Sequence, residues 1–293
     1  MKCISIVVLN YINYSDTIDC VESIINQKNK NFKVVIVENG SPNDSFFILM
    51  EKFGQHPLIT IIRNKNNLGF AKGNNVGINY SNNVLGIDYI FVLNSDTILN
   101  ENLIDDIFKL SVEDDVAVFS PTVTDEFGVV QIPTINVNDI KSFTFKAILS
   151  LFLALFLNSP GMNRLYKQYK KNNHANEDST GMHNNFTPFK YSLHGSAFFL
   201  TPLFFKYYKN PFPGTFLYWE EINLIWYLHK VNLRAAVYET SGVFHKESMS
   251  ISQIAAPSKV SMWKLKKSFS SLLRSLPLYF CNYNYVVKTY NSK

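Results

Sequence analysis

Five short apolar runs divide the first 120 residues, each separated from the next by a polar turn and a helix-length stretch. Ile4–Leu9, Phe32–Val37, Leu58–Arg63, Tyr89–Leu93 and Val116–Ser120 have the length and the Val/Ile content of strands. Between them, Ser15 to Asn26 reads as a helix capped by Ser15 or Asp16, with Ile18, Val21, Ile24 and Ile25 on one buried face. Ser45–Phe53, Leu68–Tyr80 (entered through Gly69) and Leu103–Leu110 read as three more helices. Strands that are apolar at nearly every position need cover on both faces, and repeated βα units give a mostly parallel sheet between two helical layers. The expected class is α/β, Rossmann-like.

At 293 residues the chain is long enough for one large domain with an appended tail. Cys3, Cys20 and Cys281 lack metal-like spacing, so a disulfide framework is not expected and a reducing compartment is. The apolar start at Ile4 runs into Asn10-Tyr11 without a small-residue cleavage site and reads as a first strand. Ala147–Leu157 is strongly apolar, but a membrane span needs about 20 residues; it suits a core helix, an interfacial helix or an acceptor-side lid. Lys167 to His183 is polar and reads as a mobile stretch. After Glu247 there is no acid, while Lys259, Lys264, Lys266, Lys267, Arg274 and Lys288 interleave with Trp263, Leu265, Phe269, Leu272, Leu273, Leu276, Leu278, Tyr279 and Phe280. Such a basic-aromatic tail suits an anionic membrane surface, or it packs on the domain or on a second subunit as in a homodimer. No nucleic-acid partner is expected. The location that follows is cytoplasmic, peripheral at the inner face of the membrane.

Chemistry gathers at strand ends, where α/β proteins bind ligands. Tyr89–Leu93 stops at Asn94-Ser95-Asp96, and a carboxylate there can hold a divalent cation that bridges phosphates; capping a following helix near Asn100 is the plainer role. Glu38-Asn39-Gly40-Ser41 ends the second strand and can bond a ribose or base edge. Asn67 to Asn75 sets Gly69, Lys72 and amides at a helix entrance, a fair anion contact, yet it has neither the Walker ending nor dinucleotide glycine spacing. Glu220 and Glu221 open an amphipathic helix after Tyr218-Trp219, where partial desolvation suits a general base. His245 closes an apolar strand and could join Asp96 as a metal ligand. His194 reads as a turn histidine, and His174 and His183 carry no such argument.

Taken in order, Val7-Val8-Leu9-Asn10-Tyr11, Val35 to Ser41, Asn67-Leu68-Gly69-Phe70-Ala71 with Asn74, Leu93 to Asp96, Gly195 with Ala197, Tyr218 to Glu221 and Val243-Phe244-His245 resemble glycosyltransferase family 2, with its GT-A fold, over roughly residues 3–250. The closest likeness is to the rhamnosyltransferase-like branch of bacterial polysaccharide synthesis. The resemblance implies a GT-A catalytic domain over 1–250, with a nucleotide-binding half (1–125) and an acceptor-side half (126–250) carrying an insertion at 143–185, then a helical tail over 251–293. It implies inverting, metal-dependent hexosyl transfer from a UDP- or dTDP-linked sugar to a saccharide or polyprenyl-linked acceptor, with Mn²⁺ or Mg²⁺ as cofactor. It further implies Glu221 as base, Asp96 and His245 as metal ligands, and donor or acceptor contacts from Asn10, Glu38, Asn67, Gly69, Asn74, Asn94, Gly195 and Glu220. Two features depart from the family pattern. The base is Glu rather than Asp, reaching about 1.5 Å further, and Asn223 and Tyr227 stand where Asp and Arg are usual. The competing reading is a decayed nucleotide-sugar-binding or assembly protein. A nucleotidyltransferase would want a glycine-rich, cationic loop after the first strand, and Asn10 to Tyr14 has neither.

Overall fold

The computed structural model describes residues 3–131, 133–157, 189–246 and 257–291. The chain runs β1 Ile4–Asn10, α1 Tyr14–Ile25, β2 Phe32–Glu38, α2 Ser45–Phe53, β3 Ile59–Arg63, α3 Phe70–Asn83, β4 Ile90–Asn94, β5 Thr97–Leu99, α4 Leu103–Lys109, β6 Val116–Thr124, β7 Ile135–Val137 and α5 Ile140–Leu157. It continues with β8 Tyr191–Leu193, β9 Ala197–Leu200, α6 Pro202–Tyr207, α7 Glu220–Lys230, β10 Arg234–His245, α8 Pro257–Phe280 and α9 Tyr283–Tyr290. The ten strands among the described residues form one sheet, in the order β3-β2-β1-β4-β9-β6-β10-β8-β7 with β5 on β10.

The apolar strands bury both faces, as their composition requires. Val7, Val35, Val37, Ile90 and Val92 point to one side, where α3, α7 and α8 supply Ile78, Leu224, Ile225, Leu272 and Leu278. Ile6, Val8, Val34, Ile36, Phe91 and Leu93 point to the other, against α1, α2 and α4. Each such side chain contributes roughly 1.5–3 kcal/mol on burial, so alternation along β1, β2 and β4 locks their register.

The β3-β2-β1-β4 half is parallel throughout. Beyond it the sheet is mixed, because β9 runs antiparallel between β4 and β6 and β7 pairs antiparallel with β8. Three readings of the sequence need correction. Helix α1 begins one residue early and is capped by Asn13, whose Oδ1 accepts from Asp16 N at 3.4 Å. No helix starts at Asn100: β5 follows Asp96 directly and pairs with β10. The apolar run closed by His245 is the last part of a longer strand, β10, whose pairing with β6 shifts between Tyr238 and Val243, beside Gly242 at φ 91°.

The tail folds back onto the domain. Leu272, Leu278 and Tyr279 are buried, and Leu265, Phe269 and Leu276 pack on the same core. These six residues, expected at a lipid interface, are therefore turned inward; Trp263, Leu273 and Phe280 stay exposed. Asn223 and Tyr227 are the anchors. Asn223 Nδ2 donates to Ser275 Oγ at 2.9 Å, and Tyr279 OH donates to Asn223 Oδ1 at 2.9 Å. Tyr227 OH accepts from Asn291 Nδ2 at 2.9 Å, and its ring stacks on Tyr208. No helix among the described residues is long and apolar enough to cross a membrane. The Lys167 to His183 stretch lies outside the described residues.

Candidate active site

Parallel register lines up the carboxyl ends of four strands: Asn10 pairs with Glu38 and Glu38 with Arg63, while Leu9 pairs with Asn94 on the other side. The chain reverses its direction of winding between β1 and β4, the position where sheets of this kind open a crevice. Glu38 is buried there. Its Oε1 accepts from Ser41 N at 2.8 Å, and its Oε2 has no hydrogen-bond partner. Arg63 Nε lies 3.9 Å from that Oε2, and the guanidinium sits 4.5 Å over the Phe46 ring. Asn10 accepts from Thr17 Oγ1 at 2.8 Å, with its Nδ2 left unpaired. A buried acceptor and a buried donor without partners at one strand edge are what a polar ligand would satisfy.

Asn39 organises the next loop. Its Nδ2 donates to Asn67 Oδ1 at 3.0 Å, and its Oδ1 accepts from Asn64 Nδ2 and Leu68 N. Asn67 Oδ1 also accepts from Gly69 N at 2.8 Å. Gly69 adopts φ 81°, and a Cβ there would fall 2.4 Å from Phe216 O, so only glycine admits the chain into α3. Asn74 holds Phe70 O through Nδ2 at 3.1 Å and leaves its Oδ1 unpaired.

The β5–β10 pairing sets His245 opposite Thr97 and so beside Asp96. His245 Nε2 lies 3.4 Å from Asp96 Oδ1, with both side chains partly exposed. Asp96 O accepts from Lys246 N at 2.9 Å, and Lys246 Nζ pairs with Asp16 and Asp19 of α1, which fixes this end of β10. One carboxylate and one imidazole at this separation suit Mn²⁺ or Mg²⁺, cations that take few protein ligands and fill the remainder with phosphate and water. Among the described residues no third His, Cys, Asp or Glu joins them. His194 faces His245 with ring centroids 6.1 Å apart; burial, and then the His245 charge, lower its pKa to about 4.

Glu220 and Glu221 form the first turn of α7. They are reached through two non-glycine residues in the left-handed region, Tyr218 at φ 72° and Trp219 at φ 75°. For bulky aromatics that is backbone strain, of order 1–3 kcal/mol each. The helix dipole favours acids here by only about 0.3–1 kcal/mol, and burial outweighs it: desolvation raises both carboxyls, Glu220 to about 8 with Glu221 adding to the shift. Glu221 rests on Gly195, where a Cβ would fall 1.9 Å from Oε1. Ser196 O accepts from Asn94 N at 2.8 Å. The turn His194-Gly195-Ser196 thus touches Glu221, the end of β4 and His245.

Sequence reading singled out Glu38, Asn67, Asn74, Asp96, Glu221 and His245, and the fold sets them along this edge or its turn. It named Asn39 and Asn75 only within their segments and gave Arg63 no role. Arg63 was visible as a cation at the end of a predicted strand, but its neighbour Glu38 follows only from register.

The fold is that of S. aureus TarS residues 1–349: the likeness covers 98% of this chain and 72% of that one, with a TM-score of 0.52 at 13% identity. That places the molecule among GT-A transferase folds. The family comes from sequence. The model described as Glycosyl transferase family 2 matches residues 5–170, more than half of the chain, and the chain belongs to that family. It is 30% identical to glycosyltransferase GlyG of Streptococcus pneumoniae over 117 residues, 40% of this chain and 38% of GlyG. It is 20% identical to the low-salt glycan biosynthesis hexosyltransferase Agl10 of Haloferax volcanii over 244 residues, 83% of this chain and 67% of Agl10.

Gly195→Ala should therefore destabilise the fold by about 1–3 kcal/mol through overpacking against Glu221. Urea unfolding reads this, and an unchanged midpoint would show that the contact is loose.

Proposed function

We propose that the chain is an inverting transferase. It moves a hexosyl group from a nucleoside-diphosphate sugar, UDP- or dTDP-linked, to a hydroxyl of a saccharide or lipid-linked saccharide in cell-surface polysaccharide synthesis. The observation that carries this is the position of Glu221: a half-buried carboxyl, raised by desolvation and held on Gly195, joined by one short turn to the Asp96–His245 pair. The resemblance of the chain to a hexosyltransferase of glycan synthesis supports the substrate class.

Glu38 accepts from the nucleoside through its free Oε2, and the Asn67–Asn74 segment lies against the ribose and base. Asp96 and His245 would hold Mn²⁺ or Mg²⁺, which when bound offsets the charge of the departing diphosphate. Glu221 takes the proton of the acceptor hydroxyl. The oxygen attacks the anomeric carbon, the bond to the diphosphate oxygen breaks, and the configuration inverts in a single displacement. A burial-raised carboxyl is a stronger base than a solvated one, which suits the step at neutral pH.

Asp96→Ala should abolish transfer and weaken metal-dependent donor binding. Glu221→Gln should lower turnover by at least about 10² with donor binding retained. Both are read by sugar transfer and by calorimetric donor titration. Turnover within tenfold of wild type for either variant removes that residue from its role.

We also propose peripheral membrane binding, on a narrower surface than the whole tail. The outward stripe of α8 carries Trp263, Lys266, Leu273, Arg274 and Phe280, all exposed, and about 1 kcal/mol per cation near an anionic leaflet gives reversible binding. Co-sedimentation with phosphatidylglycerol vesicles at low salt should be lost in the Lys266→Glu, Arg274→Glu double variant. Absent or unchanged binding rejects the surface.

A further inference from the structure

Behind the acid pair lies a cavity of about 30 Å³, room for one or two waters. Its wall is apolar except for Asn74 and Asn75 from α3 and Glu220 and Glu221 from α7. Three side-chain oxygens on this wall, Asn74 Oδ1, Asn75 Oδ1 and Glu220 Oε1, are buried without a hydrogen-bond partner. The amides cannot turn to help one another. Asn74 Nδ2 is committed to Phe70 O, and Asn75 Nδ2 to Pro211 O at 2.9 Å. No Lys or Arg lines the cavity. Beside the Glu221 carboxyl the wall thus presents three buried oxygens without a partner and no cation, an arrangement that burial makes costly unless a donor is supplied. It also sets two neighbouring carboxyls in a desolvated place, where only one readily ionises.

We propose that Glu220 is a positioning residue that keeps its proton at neutral pH and donates it to an ordered water in this cavity. That water donates in turn to Asn74 Oδ1 and Asn75 Oδ1, leaving Glu221 the single ionised member of the pair. The count closes: the carboxyl hydrogen goes to the water oxygen, the two water hydrogens go to the two amide oxygens, and no buried acceptor is left over. The titratable groups facing Glu220 are Glu221 on its own helix, Tyr218 just before it and Tyr279 from α8. The phenols stay neutral in the working range and α3 contributes only amides; the Thr215 hydroxyl and the backbone N–H groups of Tyr218 and Glu220 favour the ionised form, but burial and then Glu221 outweigh them. When pH rises through the Glu220 pKa of about 8, the proton leaves, the water loses its donor, and a charge appears beside Glu221.

Protonation of Glu220 stands independently of the transferase reading; its consequence for Glu221 rests on that reading. The test therefore has two arms on the full chain. In infrared difference spectra across pH, taken without substrate, wild type should show a protonated-carboxyl signal that disappears near pH 8 and is missing in Glu220→Gln. In turnover, Glu220→Gln should cost less than the ~10² expected for loss of the base and should lose the alkaline limb of the kcat profile. A signal absent from wild type at neutral pH, or one that persists in Glu220→Gln, overturns the assignment whatever the activity. A normal infrared result with turnover as low as that of Glu221→Gln overturns the positioning role and makes Glu220 the base.

Discussion

The contact on which the site depends is the seat of Glu221 on the bare Cα of Gly195. It fixes the start of α7 against the turn between β8 and β9, and β9 is the strand that runs antiparallel beside β4. Through that turn, one helix terminus is held in register with the end of β4, and with the His245 that β5 brings to Asp96. The entry to α7 is strained at Tyr218 and Trp219, at order 1–3 kcal/mol each. Packing holds it there. Trp219, Leu224, Ile225, Trp226, Tyr227 and Leu228 are all buried, and each large side chain contributes roughly 1.5–3 kcal/mol.

The tail completes this arrangement. Trp219 Nε1 donates to Ser268 Oγ at 2.8 Å, and Ser271 Oγ donates to Leu217 O at 2.7 Å. The strained residue and the segment before it are thus bonded directly to α8. Asn223 and Tyr227, which depart from the family pattern, are neutral hydrogen-bonding groups spent on the tail: Asn223 on α8 and Tyr227 on Asn291 just after α9. The change from charged to neutral residues at these positions fits a helix α7 that is buried under a tail.

Much of the fold was legible because burial on two faces writes a simple code. β1, β2 and β4 are uninterrupted apolar runs, and α1 and α3 carry periodic apolar faces between recognisable turns. The run Ser192–Leu200 reads as a turn into a strand, but the antiparallel placement of β9 and the three-residue strands β5 and β7 were not legible, since pairing comes from long-range register rather than local pattern. The same distinction applies to the site. Glu38, Asp96 and Glu221 end or begin elements and stand out in sequence. Arg63 beside Glu38, the Asn39 bridge and the paired amide oxygens of Asn74 and Asn75 become visible only when the strands and α3 are brought together. The tail stayed ambiguous for a related reason: an amphipathic helix that covers a core has the same composition as one that covers a bilayer.

The central claim is that this edge transfers a sugar rather than only binding a nucleotide sugar. The direct measurement is release of nucleoside diphosphate by the wild-type chain from a panel of nucleotide sugars, with Mn²⁺ or Mg²⁺ and an acceptor. Release is expected from at least one UDP- or dTDP-linked sugar, and it requires both cation and acceptor. Saturable donor binding without release from any of them would contradict it and leave a binding protein on a transferase fold.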